Sequence, residues 1–88
     1  MISYSIKIVG KVQGVGFRYY AHKKANELGV RGFVRNMRDG SVYVEAEADP
    51  GIMDEFIGWL QQGPPWARVE EVVLQPMPEN SFERFEIR

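Results

Sequence analysis

Cysteine is absent from this 88-residue chain, and histidine occurs once, at His22. Disulfides, thiol nucleophiles, thiolate metal sites and paired-histidine metal sites are therefore excluded. An excess of one charge is also missing: 11 Lys and Arg stand against 12 Asp and Glu, for a net charge of −1. General nucleic-acid and anionic-membrane surfaces depend on excess positive charge, so neither nucleic acid nor membrane is an expected partner. No apolar run approaches the ~20 residues of a membrane span. The start, Met1-Ile2-Ser3-Tyr4-Ser5-Ile6-Lys7, lacks the basic segment and continuous apolar stretch of a secretory signal. A cytoplasmic location is the simplest expectation. With no repeat, low-complexity segment or linker, residues 1–88 are read as a single domain, acting alone and as a monomer.

What is present is periodic. Ile2, Tyr4, Ile6 and Ile8 alternate with polar residues, which predicts a half-buried strand. A glycine-rich loop at 10–16 comes next. Phe17, Tyr20, Ala21, Lys24, Ala25 and Leu28 recur at helical spacing, and Gly29 stops the helix. Val30 to Asn36 reads as a second strand and Asp39-Gly40 as a turn. Val42, Val44, Ala46 and Ala48 alternate with Ser41, Tyr43, Glu45 and Glu47 in a third strand, whose glutamates are assigned to solvent. Asp49-Pro50 suits a helix start, and Ile52, Met53, Phe56, Trp59 and Leu60 give a second amphipathic helix ending at Gly63-Pro64-Pro65. Val69 to Leu74 is a fourth strand, and Phe85 with Ile87 a short fifth. The order β-α-β-β-α-β, with a short extra strand, predicts an α+β, ferredoxin-like sandwich: an antiparallel sheet with two helices on one face. In that topology the first two strands run parallel with the third between them. At ~4.8 Å per strand step their ends lie roughly 10 Å apart, so Arg18 and Asn36 are placed to converge on one small ligand.

The segment Gly10-Lys-Val-Gln-Gly-Val-Gly-Phe-Arg18 holds three glycines, then an arginine at a helix start. Glycines let successive amides point into one concavity. A helix start adds unpaired N–H groups and partial positive charge. A phosphate fits such a place. The loop is not a Walker A motif, since no Gly-Lys-Ser/Thr succeeds it, and not a dinucleotide fingerprint, since position 19 is tyrosine. Alone it fits a plain β-to-α connection equally well, and Asn36 alone fits an ordinary residue before a turn.

The joint pattern is more specific. Gly10-x-Val12-Gln13-Gly14-Val15-x-Phe17-Arg18 is followed by Gly32-Phe33-Val34-Arg35-Asn36-x-x-x-Gly40-x-Val42. Together with Gly63-Pro64-Pro65…Arg68-Val69-Glu70 and Phe85-x-Ile87-Arg88, it resembles the acylphosphatase family along the whole chain. The resemblance implies hydrolysis of acyl phosphates, with acyl phosphate and inorganic phosphate as small-molecule ligands and no cofactor or metal. It implies Arg18 and Asn36 as the catalytic residues: Arg18 binds phosphate and Asn36 positions the attacking water. Gln13, Gly14, Val15, Gly16, Phe17 and Arg18 would form the phosphate-binding loop. The chain departs from the family pattern at Ala48, where a glycine is usual.

The implied chemistry suits these residues. The leaving group is a carboxylate whose conjugate acid has a pKa of about 4, so it departs without a general acid. Phosphoryl transfer rests on positioning and on charge stabilisation. The rival reading is an RNA-binding module, because Arg31-Gly32-Phe33 begins like an RNP1 signature. Val34, Arg35 and Asn36 then break that pattern.

Overall fold

A computed structural model describes residues 1–88. The elements are β1 (Ile2–Lys11), α1 (Phe17–Leu28), β2 (Arg31–Asn36), β3 (Val42–Ala48), α2 (Pro50–Gln62), β4 (Arg68–Pro76) and β5 (Phe85–Ile87). The sheet order is β4-β1-β3-β2-β5. The four long strands pair antiparallel, as expected, and β5 adds one parallel pair beside β2. β1 continues beyond Ile8 to Lys11. Its last part pairs with β4 across a bulge between Val9 and Gly10. A Cβ on Gly10, at φ 139°, would lie 2.1 Å from the Arg68 carbonyl oxygen, so only glycine fits there.

Alternation sets the two faces of the sheet. Ile6, Ile8, Val34, Val42, Val44 and Ala46 are buried. Their strand pairings, Ile6 with Val44 with Val34 and Ile8 with Val42, put them on one face. Against that face lie Phe17, Ala21 and Ala25 of α1 and Met53, Phe56, Ile57 and Leu60 of α2. The spacings i, i+4, i+8 and i, i+3, i+4, i+7 each form one helical stripe. Phe56 is fully buried and Trp59 half-buried, its ring 5.7 Å from that of Phe17. Pro50 opens α2 as expected, although the Asp49 carboxylate makes no capping hydrogen bond.

The other face is not left open. Residues 77–84 cross it from β4 at one edge to β5 at the other. Met77 N–H donates to the Ser3 carbonyl (3.1 Å), and Gly32 N–H to that of Arg84 (3.0 Å). Between those ends, the Glu47 carboxylate accepts from the Ser3 hydroxyl (2.9 Å), the Phe82 N–H (3.0 Å) and the Asn80 N–H. Glu47 is completely buried, which corrects its assignment to solvent. Alternation does place it on the helix-free face, but the crossing segment covers it. Phe82 packs edge-on against Phe33, and Arg88 lies 4.3 Å above the Phe33 ring. Ala48 is buried opposite Ile2, at the end of the sheet away from Asn36.

Burial works against ionisation of Glu47, but the N–H groups of Asn80 and Phe82 and the Ser3 hydroxyl outweigh it and hold the carboxyl below its ordinary value. The unfolded chain, at about 4.3, therefore takes up a proton first as pH falls. The stabilisation is complete above the unfolded pKa and is lost as pH drops through the folded one. Glu47→Ala should lower the unfolding free energy by about 2–3 kcal/mol, because buried donors are left unpaired. Urea titrations at neutral pH check this. In a pH series from 6 to 3, Glu47→Gln should flatten the acid loss without abolishing it. Asp39, held low by Ser41 and Lys7, and Glu86, held low by Arg88, act in the same direction.

Candidate active site

The register of three strands fixes one half of the site. Asn36 pairs with Val42, and Val42 pairs with Ile8. Asn36 therefore points to the same face as the buried Val34 two residues earlier. At the strand end it has passed the helical cover and is exposed. Its side chain makes no hydrogen bond within the protein.

The other half comes from the loop between β1 and α1. Gly16 sits at φ 79°, the left-handed region, and serves as the N-cap of α1 without a side-chain capping bond. The first helical bond runs from Tyr20 N–H to the Gly16 carbonyl (3.1 Å). The N–H groups of Phe17, Arg18 and Tyr19 thus have no intrahelical acceptor. No acidic residue lies in the first turn to occupy them. The half-buried Arg18 forms no ion pair or hydrogen bond within the chain.

These halves meet in one cavity of about 260 Å³, lined by Val12, Gly14, Gly16, Phe17, Arg18, Tyr19, Asn36 and Ile87. Of the residues singled out from sequence, Gly14, Gly16, Phe17, Arg18 and Asn36 come together there. Gln13 and Val15 stand outside the lining. Val15 is half-buried against the core. The Gln13 side-chain amide donates to the carbonyls of Met37 (2.7 Å) and Ser41 (2.9 Å). It ties the glycine loop to the turn after Asn36, a bracing role the sequence does not reveal. That turn has its own lock: the Asp39 carboxylate accepts from the Ser41 N–H (2.9 Å) and hydroxyl (2.6 Å) and pairs with Lys7 at 3.0 Å. These bonds hold its carboxyl well below the ordinary range. Asp39 is thus a turn residue, as expected. Tyr19 and Ile87 are lining residues that sequence reasoning misses. The first succeeds Arg18 in the helix, and the second is delivered by the parallel pairing of β5 beside Val34.

An α+β sandwich of ferredoxin-like order, with a helix N-terminus, a free guanidinium and a free carboxamide facing one small cavity, defines a class of anion-handling domain. Comparison with known proteins makes the assignment specific. The chain belongs to the acylphosphatase family, whose model matches residues 4–87. An acylphosphatase of Mannheimia succiniciproducens is 51% identical over 72 residues, covering 82% of this chain and 80% of that protein. One of Archaeoglobus fulgidus is 40% identical over 87 residues, covering 99% and 98%. Among solved structures, the acylphosphatase of Bacillus subtilis superposes with a TM-score of 0.97 at 31% identity, over 100% of this chain and 99% of that one.

Gln13→Ala removes two hydrogen bonds across the loops and should lower stability by about 1–2 kcal/mol. Amide exchange at Met37, Gly40 and Ser41 should accelerate more than exchange in the helices. A fully protected turn in the variant would show that Gln13 does not brace it.

Proposed function

We propose that this cavity is the active site, and that within it Arg18 and the loop amides bind phosphate while Asn36 positions water. The reaction is that of the family: hydrolysis of the carboxyl–phosphate bond of an acyl phosphate to a carboxylate and inorganic phosphate. The observation that carries the residue assignment is the meeting of an unpaired guanidinium, unpaired helix-start N–H groups and an unpaired carboxamide in one cavity. In this scheme the N–H groups of Gly14, Gly16, Phe17 and Arg18 and the Arg18 fork hold the equatorial phosphoryl oxygens, where charge is stabilised in the transition state. The bond from the water oxygen to phosphorus forms as the bond to the acyl oxygen breaks, and the electron pair leaves on the carboxylate. The leaving carboxylate needs no protonation near neutral pH. No carboxylate or imidazole lines the cavity, and Asn36 orients the water without taking its proton, which passes to a phosphate oxygen or to solvent. The scheme calls for no metal or cofactor.

We further infer that residues 1–88 work as one domain, as a monomer, in the cytoplasm and without a nucleic-acid partner. No helix is long and apolar enough to cross a membrane. Phe33, the aromatic that an RNA-binding reading would need exposed, is 6% exposed beneath Phe82 and Arg88, which supports the enzymatic reading over that one.

With benzoyl phosphate as substrate, Arg18→Ala should lower kcat/KM by about 10²-fold or more and weaken competitive inhibition by inorganic phosphate. Asn36→Ala should lower kcat by about 10²-fold while the phosphate inhibition constant stays near wild type. Wild-type activity in Arg18→Ala would overturn the assignment of the cavity.

A further inference from the structure

The cavity is lined by both polar groups and apolar side chains, and the proposed chemistry uses only the polar groups. Its floor is closed: Val12 is 1% and Phe17 2% exposed. A phosphoryl group held by the loop amides and Arg18 therefore has no room for an acyl carbon beneath it. The acyl group must project toward the rim. Of the apolar side chains lining the cavity, the two that are exposed are Tyr19, at 60%, and Ile87, at 45%. We propose that Tyr19, together with Ile87, forms the acyl subsite and selects acyl phosphates with an aromatic or bulky apolar acyl group over small ones such as acetyl. This rests on the cavity being the active site.

Three features give Tyr19 this role. It succeeds Arg18 directly in the first turn of α1, so its ring is anchored to the same rigid element that holds the phosphate. The ring is braced edge-on by Tyr20, at 5.1 Å between centroids and 79° between planes, so a second ring meets a partner already held in place. Its hydroxyl makes no hydrogen bond within the chain, and the exposed ring adds little to the folded core. Ile87 arrives from β5, a separate element, and adds aliphatic surface to the same rim. An acetyl group offers one methyl to this surface, whereas a benzoyl group offers a ring.

The test compares kcat and KM for benzoyl phosphate and acetyl phosphate in wild type, Tyr19→Ala and Tyr19→Phe. Wild type should favour benzoyl phosphate in kcat/KM. Tyr19→Ala should shrink the benzoyl-to-acetyl ratio about three- to tenfold, mainly through KM for benzoyl phosphate. Tyr19→Phe, which keeps the ring, should hold the wild-type ratio. An unchanged ratio in Tyr19→Ala, including an equal loss on both substrates, would overturn the acyl subsite and leave the active-site assignment standing. A ratio that collapses in Tyr19→Phe as far as in Tyr19→Ala would overturn the role of the ring. Failure of the wild type to hydrolyse either substrate would overturn the active-site reading and this one with it.

Discussion

The hydrogen-bonded register of β3 between β1 and β2 is the constraint on which the rest depends. Val42 faces Ile8 on one side and Asn36 on the other. Because side chains alternate, a slip of one residue on either side would turn a whole strand over. Asn36 would then leave the helix-covered face, and with it the cavity. The register is specified by the core, since the same slip would expose Val34 and Val44, both fully buried. It is specified again at the turn, where Asp39 closes on Ser41 and the Met37 N–H donates to the Ser41 carbonyl (2.9 Å). The position of a polar side chain at the sheet end is thus set by apolar residues deeper in the sheet. Gln13 extends that control to the glycine loop by bonding to the two carbonyls that frame the turn.

The opposite end of the sheet meets a different difficulty. β4 and β5 lie on opposite edges, so the chain between them has to cross three strands. A connection of that kind carries backbone N–H groups over a surface that offers few acceptors. Glu47 supplies them. One buried carboxylate takes the N–H groups of Asn80 and Phe82 and is paired across strands with Ser3. A buried charge is costly unless its hydrogen-bonding capacity is met, and here three donors meet it. The crossing ends in β5, whose parallel pairing beside Val34 brings Ile87 to the cavity. The two ends of the sheet are therefore linked: an anion at one end holds the segment that leads to an apolar wall at the other.

These parts are not equally legible in the sequence. Both helices and the first three strands emerge from periodicity, because each hides one face against a continuous core. Arg18 and Asn36 are legible as a pair, since the topology places a residue after the first strand and one at the end of the second on the same edge. Gln13 reads as a phosphate contact because it lies within the glycine loop. Its side-chain amide also reaches carbonyls 24 and 28 residues further on, and no local pattern records that bracing. Glu47 reads as solvated for a related reason. The alternation assigns its face correctly, but the cover comes from residues 77–82, which have no periodicity to show that they lie on anything. The parallel pairing of β5 depends on the same crossing, and Ile87 becomes a lining residue only through it.

The sparseness of the proposed site suits the leaving group of the family's reaction. A poor leaving group would require an acid within hydrogen-bond reach of the breaking bond. The cavity contains no carboxylate and no imidazole. A carboxylate leaving group removes that need, so the remaining tasks are to neutralise phosphoryl charge and place one water. Those two tasks can be divided between a helix N-terminus with its arginine and a strand end with its asparagine. The division demands only that the two elements stay in fixed relation. This chain of 88 residues, with one buried core cluster, meets that demand because the same apolar layer carries both. Phe17 at the start of α1 and Val34 just before Asn36 belong to one buried cluster. The core residues nearest the cavity thus fix the spacing between the groups proposed to hold phosphate and to place water, in place of a more elaborate set of side chains.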